Sequence, residues 1–138
     1  MSVIDANNCI AGRLASSVAK RLLKGESIFI INAEKAVISG DSEASYQFFK
    51  QRVERGDPYH GPFYPKQADM MLRRIIRGML PFHKPRGREA YRRLSVFLSV
   101  PENLKKEKAE VLEKAISKLD SKFTTVGSIS RKLGAKGV

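Results

Sequence analysis

The chain has 138 residues, 42% of them apolar, which is enough for one domain with a buried core and too short for two comfortable ones. Twenty-six Lys and Arg against 14 Asp and Glu leave a net charge of +12, a balance that favours a polyanionic partner such as nucleic acid or an anionic membrane face. One cysteine, Cys9, excludes an internal disulfide and a cysteine zinc cluster; with no signal-like start and no apolar run of spanning length, a soluble cytoplasmic protein is expected.

In chain order, Val3–Asp5 reads as a short strand and Gly12–Lys24 as a helix with Leu14, Ala15, Val18, Leu22 and Leu23 on one face and Gly25 as its stop. Ser27–Asn32 encloses Ile28-Phe29-Ile30-Ile31, the wholly apolar pattern of a strand covered on both faces. Asp41–Val53 reads as a helix capped by Asp41 or Ser42, and Arg55–Pro65, with two Gly and three Pro, as a loop. Ala68–Gly78 is expected to be helical and Met79–Gly87 a loop punctuated by Pro81 and Pro85. Leu94–Val100 is strand-like, Leu104–Leu119 an amphipathic helix, and the tail an extended piece near Phe123–Val126 with a helical turn from Ser128 to Leu133. Short buried strands alternating with helices imply a single α/β domain over residues 1–138 with a largely parallel sheet.

The charge is not spread evenly. Residues 1–49 and 94–121 each hold five basic and five acidic side chains, whereas 50–93 hold twelve and four, net +8, and the tail 122–138 holds four basic residues and no acid. Residues 94–121 fit a solvated surface helix, with Glu102/Lys106 and Glu110/Lys114 at i,i+4 spacing. The 50–93 block does not fit a merely soluble surface.

Within it, Ala68, Met71, Leu72, Ile75, Ile76 and Met79 form one apolar stripe, while Arg73, Arg74 and Arg77 fall on the other side of the wheel, interrupted only by Met70. All three cations are Arg, whose planar fork binds phosphate bidentately and stacks on bases. The following residues add Lys84, Arg86, Arg88, Arg92 and Arg93 with a single acid, Glu89, so an RNA grip running from Arg73 to Arg93 is expected, with His83 beside it. Arg52, Arg55, Tyr59, His60 and Lys66 before it, and Arg131 and Lys132 in the tail, are auxiliary candidates. Tyr59, Phe63, Tyr64, Phe82 and Tyr91 are interleaved with the cations, either to stack on splayed bases or to anchor the loops to the core.

Catalytic chemistry is not visible. His60 and His83 lack ligand-like neighbours at metal spacing, and Asp57 and Asp69 suggest no acid/base pair. Ala11-Gly12-Arg13 opens a helix after a strand but lacks a glycine-rich phosphate loop. No cofactor, metal or small-molecule substrate is expected. A peripheral membrane protein would need bulky apolar residues beside the arginines, yet the apolar stripe lies opposite them.

Arg-Gly-Met-Leu-Pro (77–81), continued by Lys-Pro-Arg-Gly-Arg-Glu-Ala (84–90), resembles the signature of the universal L-thirteen family of large-subunit ribosomal proteins. Val-Ile-Asp-Ala (3–6) and Gly-Arg-Leu-Ala-Ser (12–16) resemble that family's first strand and helix. Asn-Ala-Glu (32–34), Ile-Ser-Gly (38–40) and Arg-Gly-Asp-Pro-Tyr-His-Gly-Pro-Phe (55–63) resemble its archaeal and eukaryotic branch, and the short length favours the archaeal one. The sequence departs from the family pattern at Ala11, Ala68 and Met70. The resemblance implies a three-layer α/β/α domain around a small, mainly parallel sheet. It also implies a non-enzymatic structural role, with large-subunit ribosomal RNA and neighbouring ribosomal proteins as partners and Arg77, Lys84, Arg86 and Arg88 as RNA contacts. The alternative class is an RNA- or nucleotide-processing enzyme on an α/β scaffold.

Overall fold

The computed structural model describes residues 1–118 and 120–136. In chain order its elements are β1 (Ser2–Asp5), α1 (Ala11–Leu23), β2 (Ile28–Ile31), β3 (Val37–Ser39), α2 (Ser42–Glu54), α3 (Ala68–Gly78), α4 (Pro85–Arg92), β4 (Leu94–Val96), β5 (Phe123–Thr125) and α5 (Val126–Lys132), with short 3-10 turns between them. β2 lies between β1 and β4 in a parallel three-stranded sheet, and β3 pairs with β5 antiparallel, so the domain is α/β with a small, mainly parallel sheet.

The apolar run of β2 is covered on both faces. Ile28 and Ile30 join Ile4 and Leu94 in the main core under α1 and α3, while Phe29 and Ile31 meet Val3, Phe97 and Leu104 on the other side. Phe29 and Phe97 stack with centroids 6.2 Å apart. Because successive strand side chains alternate in direction, both faces must be apolar for neither to be left wet. Cys9 is buried in the main core, and burial, with the Asp5 carboxylate adding to it, pushes its thiol pKa up.

Two expectations from sequence are corrected. Residues 104–118 are not an amphipathic helix; they hold only 3-10 turns at Glu102–Leu104 and Glu113–Ala115 (Leu119, the end of the expected helix, lies outside the described residues). The segment runs along β1 and the turn after it: Glu110 N–H donates to Val3 O at 2.7 Å, Asp5 N–H to Glu110 O at 3.0 Å, and Ile10 N–H to Ala115 O at 2.7 Å. An edge strand with unpaired backbone groups outcompetes local helix propensity, which is marginal in isolation. The expected i,i+4 pairs accordingly do not form, and Glu110 pairs with Arg21 at 3.0 Å instead.

Second, the stretch expected as a loop from Met79 to Gly87 ends early, because Pro85 starts α4 at a first-turn position. Proline there has its φ preset and loses no helical donor, so it is a start signal rather than a breaker. The tail follows its expected pattern, an extended piece and then a short helix, and both are integrated into the fold. β5 pairs with β3, a three-residue strand not expected from sequence, and α5 buries Val126 and Ile129 against α2 and α3; Gly137 and Val138 lie outside the described residues. Smaller differences are that β4 stops at Val96 and that Asp41 caps α2 without a side-chain hydrogen bond.

Candidate nucleic-acid interface

α3 follows its pattern closely. Ala68, Met71, Leu72 and Ile76 are fully buried, and Arg73, Arg74 and Arg77 lie on the outer flanks. Met79 departs from the stripe and is 43% exposed, because the helix ends at Gly78 and the capping turn carries it outward.

The three arginines do not project freely; each guanidinium is held over a ring. Arg73 sits 4.5 Å from the Tyr91 centroid, Arg77 4.0 Å from Phe82, and Arg74 5.6 Å from Tyr64. Phe82 and Tyr91 themselves meet edge to face at 5.5 Å, so α3 and α4 share one aromatic platform. A guanidinium lying on a ring keeps its N–H edge and its other face for a phosphate or base, and its rotamer is chosen before the ligand arrives. The interleaved aromatics Tyr64, Phe82 and Tyr91 therefore anchor and orient the cations, whereas Tyr59 and Phe63 are 89% and 68% exposed. Burial raises the Tyr64 pKa, with Arg52 and Arg74 opposing the shift.

The remaining candidates divide by position. Lys84, Arg86, Arg88 and Arg92 are exposed on α4 or at its cap. Arg88 is partly committed to holding the preceding turn, donating to Phe82 O at 3.1 Å and His83 O at 3.2 Å. Arg93 is half-buried and donates to Leu22 O at 2.7 Å, tying the end of α4 to the end of α1. Tyr59 and His60 sit at the tip of the 55–65 loop, where the Tyr59 N–H and then the His60 ring, 3.2 Å away, hold the Asp57 carboxyl below its usual pKa. Ser130 Oγ donates to Lys66 O at 2.6 Å, setting the Lys66 backbone beside α5, and Lys132 Nζ at the end of α5 reaches Ser42 Oγ at the start of α2 at 3.3 Å.

Arg52, Arg55, Arg74, Arg77 and His83 gather around an open cleft of about 1130 Å³ between β3, α2, α3 and the turn after α3. Phe48 belongs to this cleft too, half-exposed with Arg52 held 4.4 Å over its ring. Sequence reasoning missed it. The signal available was the Phe48-Phe49 pair, since neighbouring residues on a helix cannot both face the core.

Among the described residues, none of these arginines on α2, α3 or α4 has a carboxylate within ion-pair distance. Arg21 on α1 is the contrast: it pairs with Glu26 at 2.8 Å and Glu110 at 3.0 Å and donates to Ser2 Oγ, and both carboxylates raise its pKa against the lowering effect of burial. Arg21→Gln is expected to destabilise the fold by about 1 kcal/mol and leave RNA affinity within about twofold, measured by urea denaturation and filter binding.

The family model for ribosomal protein L13 matches residues 1–103. The chain belongs to the ribosomal protein L13 family. It is 47% identical to the large ribosomal subunit protein uL13 of Archaeoglobus fulgidus over 99% of this chain and 90% of that protein. It is 48% identical to the one from Methanosarcina barkeri over 99% of both chains, and 46% identical to the one from Methanopyrus kandleri over 96% of this chain and 86% of that protein. These L13 alignments pass beyond residue 103 and so take in β5 and α5. Members of ribosomal protein families are structural and not enzymes, which decides against the nucleotide-processing alternative.

Proposed function

We propose that this L13-family chain is a structural constituent of the large ribosomal subunit, working in the cytoplasm as part of the ribosome, and that it holds folded ribosomal RNA mainly by phosphate neutralisation. The observation that carries the reading is the 50–93 block, net +8, whose arginines lack counter-ions among the described residues, whereas Arg21 on α1 holds two. Uncompensated guanidiniums set on rings are a poor device for solubility and a good one for a phosphate track.

Arg73, Arg74, Arg77, Lys84, Arg86, Arg88 and Arg92 form the main contact, with Arg93 contributing what its bond to Leu22 leaves free. Arg52, Arg55, Tyr59, His60, Lys66, His83, Arg131 and Lys132 extend it. The chain acts as one domain, α5 included, and neighbouring large-subunit proteins complete its surroundings. None of the described helices is long and apolar enough to cross a membrane.

If about five phosphates are neutralised, log K against log[salt] should slope near −3.5 to −4.5 for purified large-subunit RNA. The protein should also co-sediment with large subunits and wash off only at high salt. A flat salt dependence would sink the phosphate-track model.

A further inference from the structure

We infer that the cleft beside α3 takes an unpaired nucleotide of the bound RNA, its base over the apolar floor and its flanking phosphates on the arginine rim. This rests on the RNA-binding reading and adds to it a site of a different kind from the phosphate track. The floor is formed by Val37, Ile38, Phe48, Ile75 and Leu80, and the volume of about 1130 Å³ exceeds a typical small-ligand pocket of roughly 300–1,000 Å³. That is room for a base, its sugar and part of the chain on either side. The rim carries four arginines and His83, against one lining carboxylate, Asp41.

Charge and shape select the occupant. A basic protein segment would be repelled by four guanidiniums. A paired RNA helix, whose bases are stacked inside, could touch the rim but would leave the floor uncovered, with Phe48 still 51% exposed. An extruded nucleotide satisfies both parts at once, because its base has an apolar face and its backbone a charge on each side. Three guanidiniums at this rim are already set on rings: Arg52 over Phe48 at 4.4 Å, Arg74 beside Tyr64 at 5.6 Å and Arg77 over Phe82 at 4.0 Å. Their planes are shelves on which a base stacks while their N–H edges meet phosphate.

The test fills the cleft without touching its charge. Ala44 lines the cleft and is exposed on α2, so Ala44→Trp places an indole in the opening. Full-length wild type and variant are titrated, over a salt series, with protein-free large-subunit ribosomal RNA from Methanosarcina barkeri. The variant is expected to keep the circular-dichroism spectrum and salt slope of the wild type and to bind about tenfold more weakly, the contribution of one stacked base. Equal affinities would overturn the cleft site and leave the phosphate track standing; absence of salt-dependent binding by either protein would overturn the RNA-binding reading itself. Independently of the variant's folding, the wild type is photocross-linked to the same RNA transcribed with thio-substituted uridine. Cross-links in peptides carrying Phe48 or residues 75–83 are expected. Cross-links confined to α4 and the 55–66 loop, or A44W binding weakened only through a changed salt slope, would overturn the proposal.

Discussion

Replacing Arg73, Arg74 and Arg77 together by Gln should weaken binding to large-subunit ribosomal RNA about a hundredfold at about 0.1 M salt and flatten the slope of log K against log[salt] by about 2 to 3. Each lost phosphate contact removes roughly 0.7–0.9 from that slope, because one fewer set of counterions is released. The loss is not softened by competing carboxylates, since none of the three has one within ion-pair distance among the described residues. The fold should survive. Each arginine gives up one ring contact of about 0.5–1 kcal/mol, while the buried stripe of Ala68, Met71, Leu72 and Ile76 is untouched. Far-UV circular dichroism and filter binding across a salt series check both halves of the expectation. A collapsed spectrum would mean the arginines are structural, and an unchanged slope would remove α3 from the RNA face. Arg77→Lys separates charge from shape: the slope should hold while affinity falls about threefold, because Lys lacks the planar fork that the guanidinium places 4.0 Å from the Phe82 centroid.

Gly87→Ala is the substitution expected to damage the fold most for its size, lowering stability by about 3 kcal/mol or more in urea denaturation. Gly87 is buried where α4 crosses the preceding turn, and a Cβ there would run into the Pro81 carbonyl. Backbone cannot rotate aside as a long side chain can, so α4 must move away from the turn. That movement breaks the bonds from Arg88 to Phe82 O and His83 O and shifts Tyr91, the ring under Arg73, so RNA affinity should fall as well. Gly12→Ala is the control. A Cβ at Gly12 meets nothing within 4 Å in the first turn of α1, so stability should stay the same or rise slightly. Equal denaturation midpoints for G87A and wild type would show that the close approach at Pro81 does not constrain α4.

What the sequence determined by itself was whatever depends on neighbours along the chain. The period of α3 is local, so its buried stripe and arginine flank were legible, as were the two-faced burial of β2 and the concentration of charge in 50–93. Every choice between a local preference and a distant partner waited on the assembled fold. Residues 104–118 have helical periodicity, but the unpaired edge of β1 offers them backbone bonds that a lone helix cannot match. Pro85 and Gly87 look like loop punctuation until Pro81 is seen pressed against Gly87, when both become requirements of a helix packed on a turn. β3 is three residues long and exists because β5, more than eighty residues later, pairs with it. The aromatics were undecided for the same reason: Tyr64 and Arg74, or Arg73 and Tyr91, come within ring-contact distance only once helices and loops are packed, and that packing turns a charge run into oriented guanidiniums around a cleft.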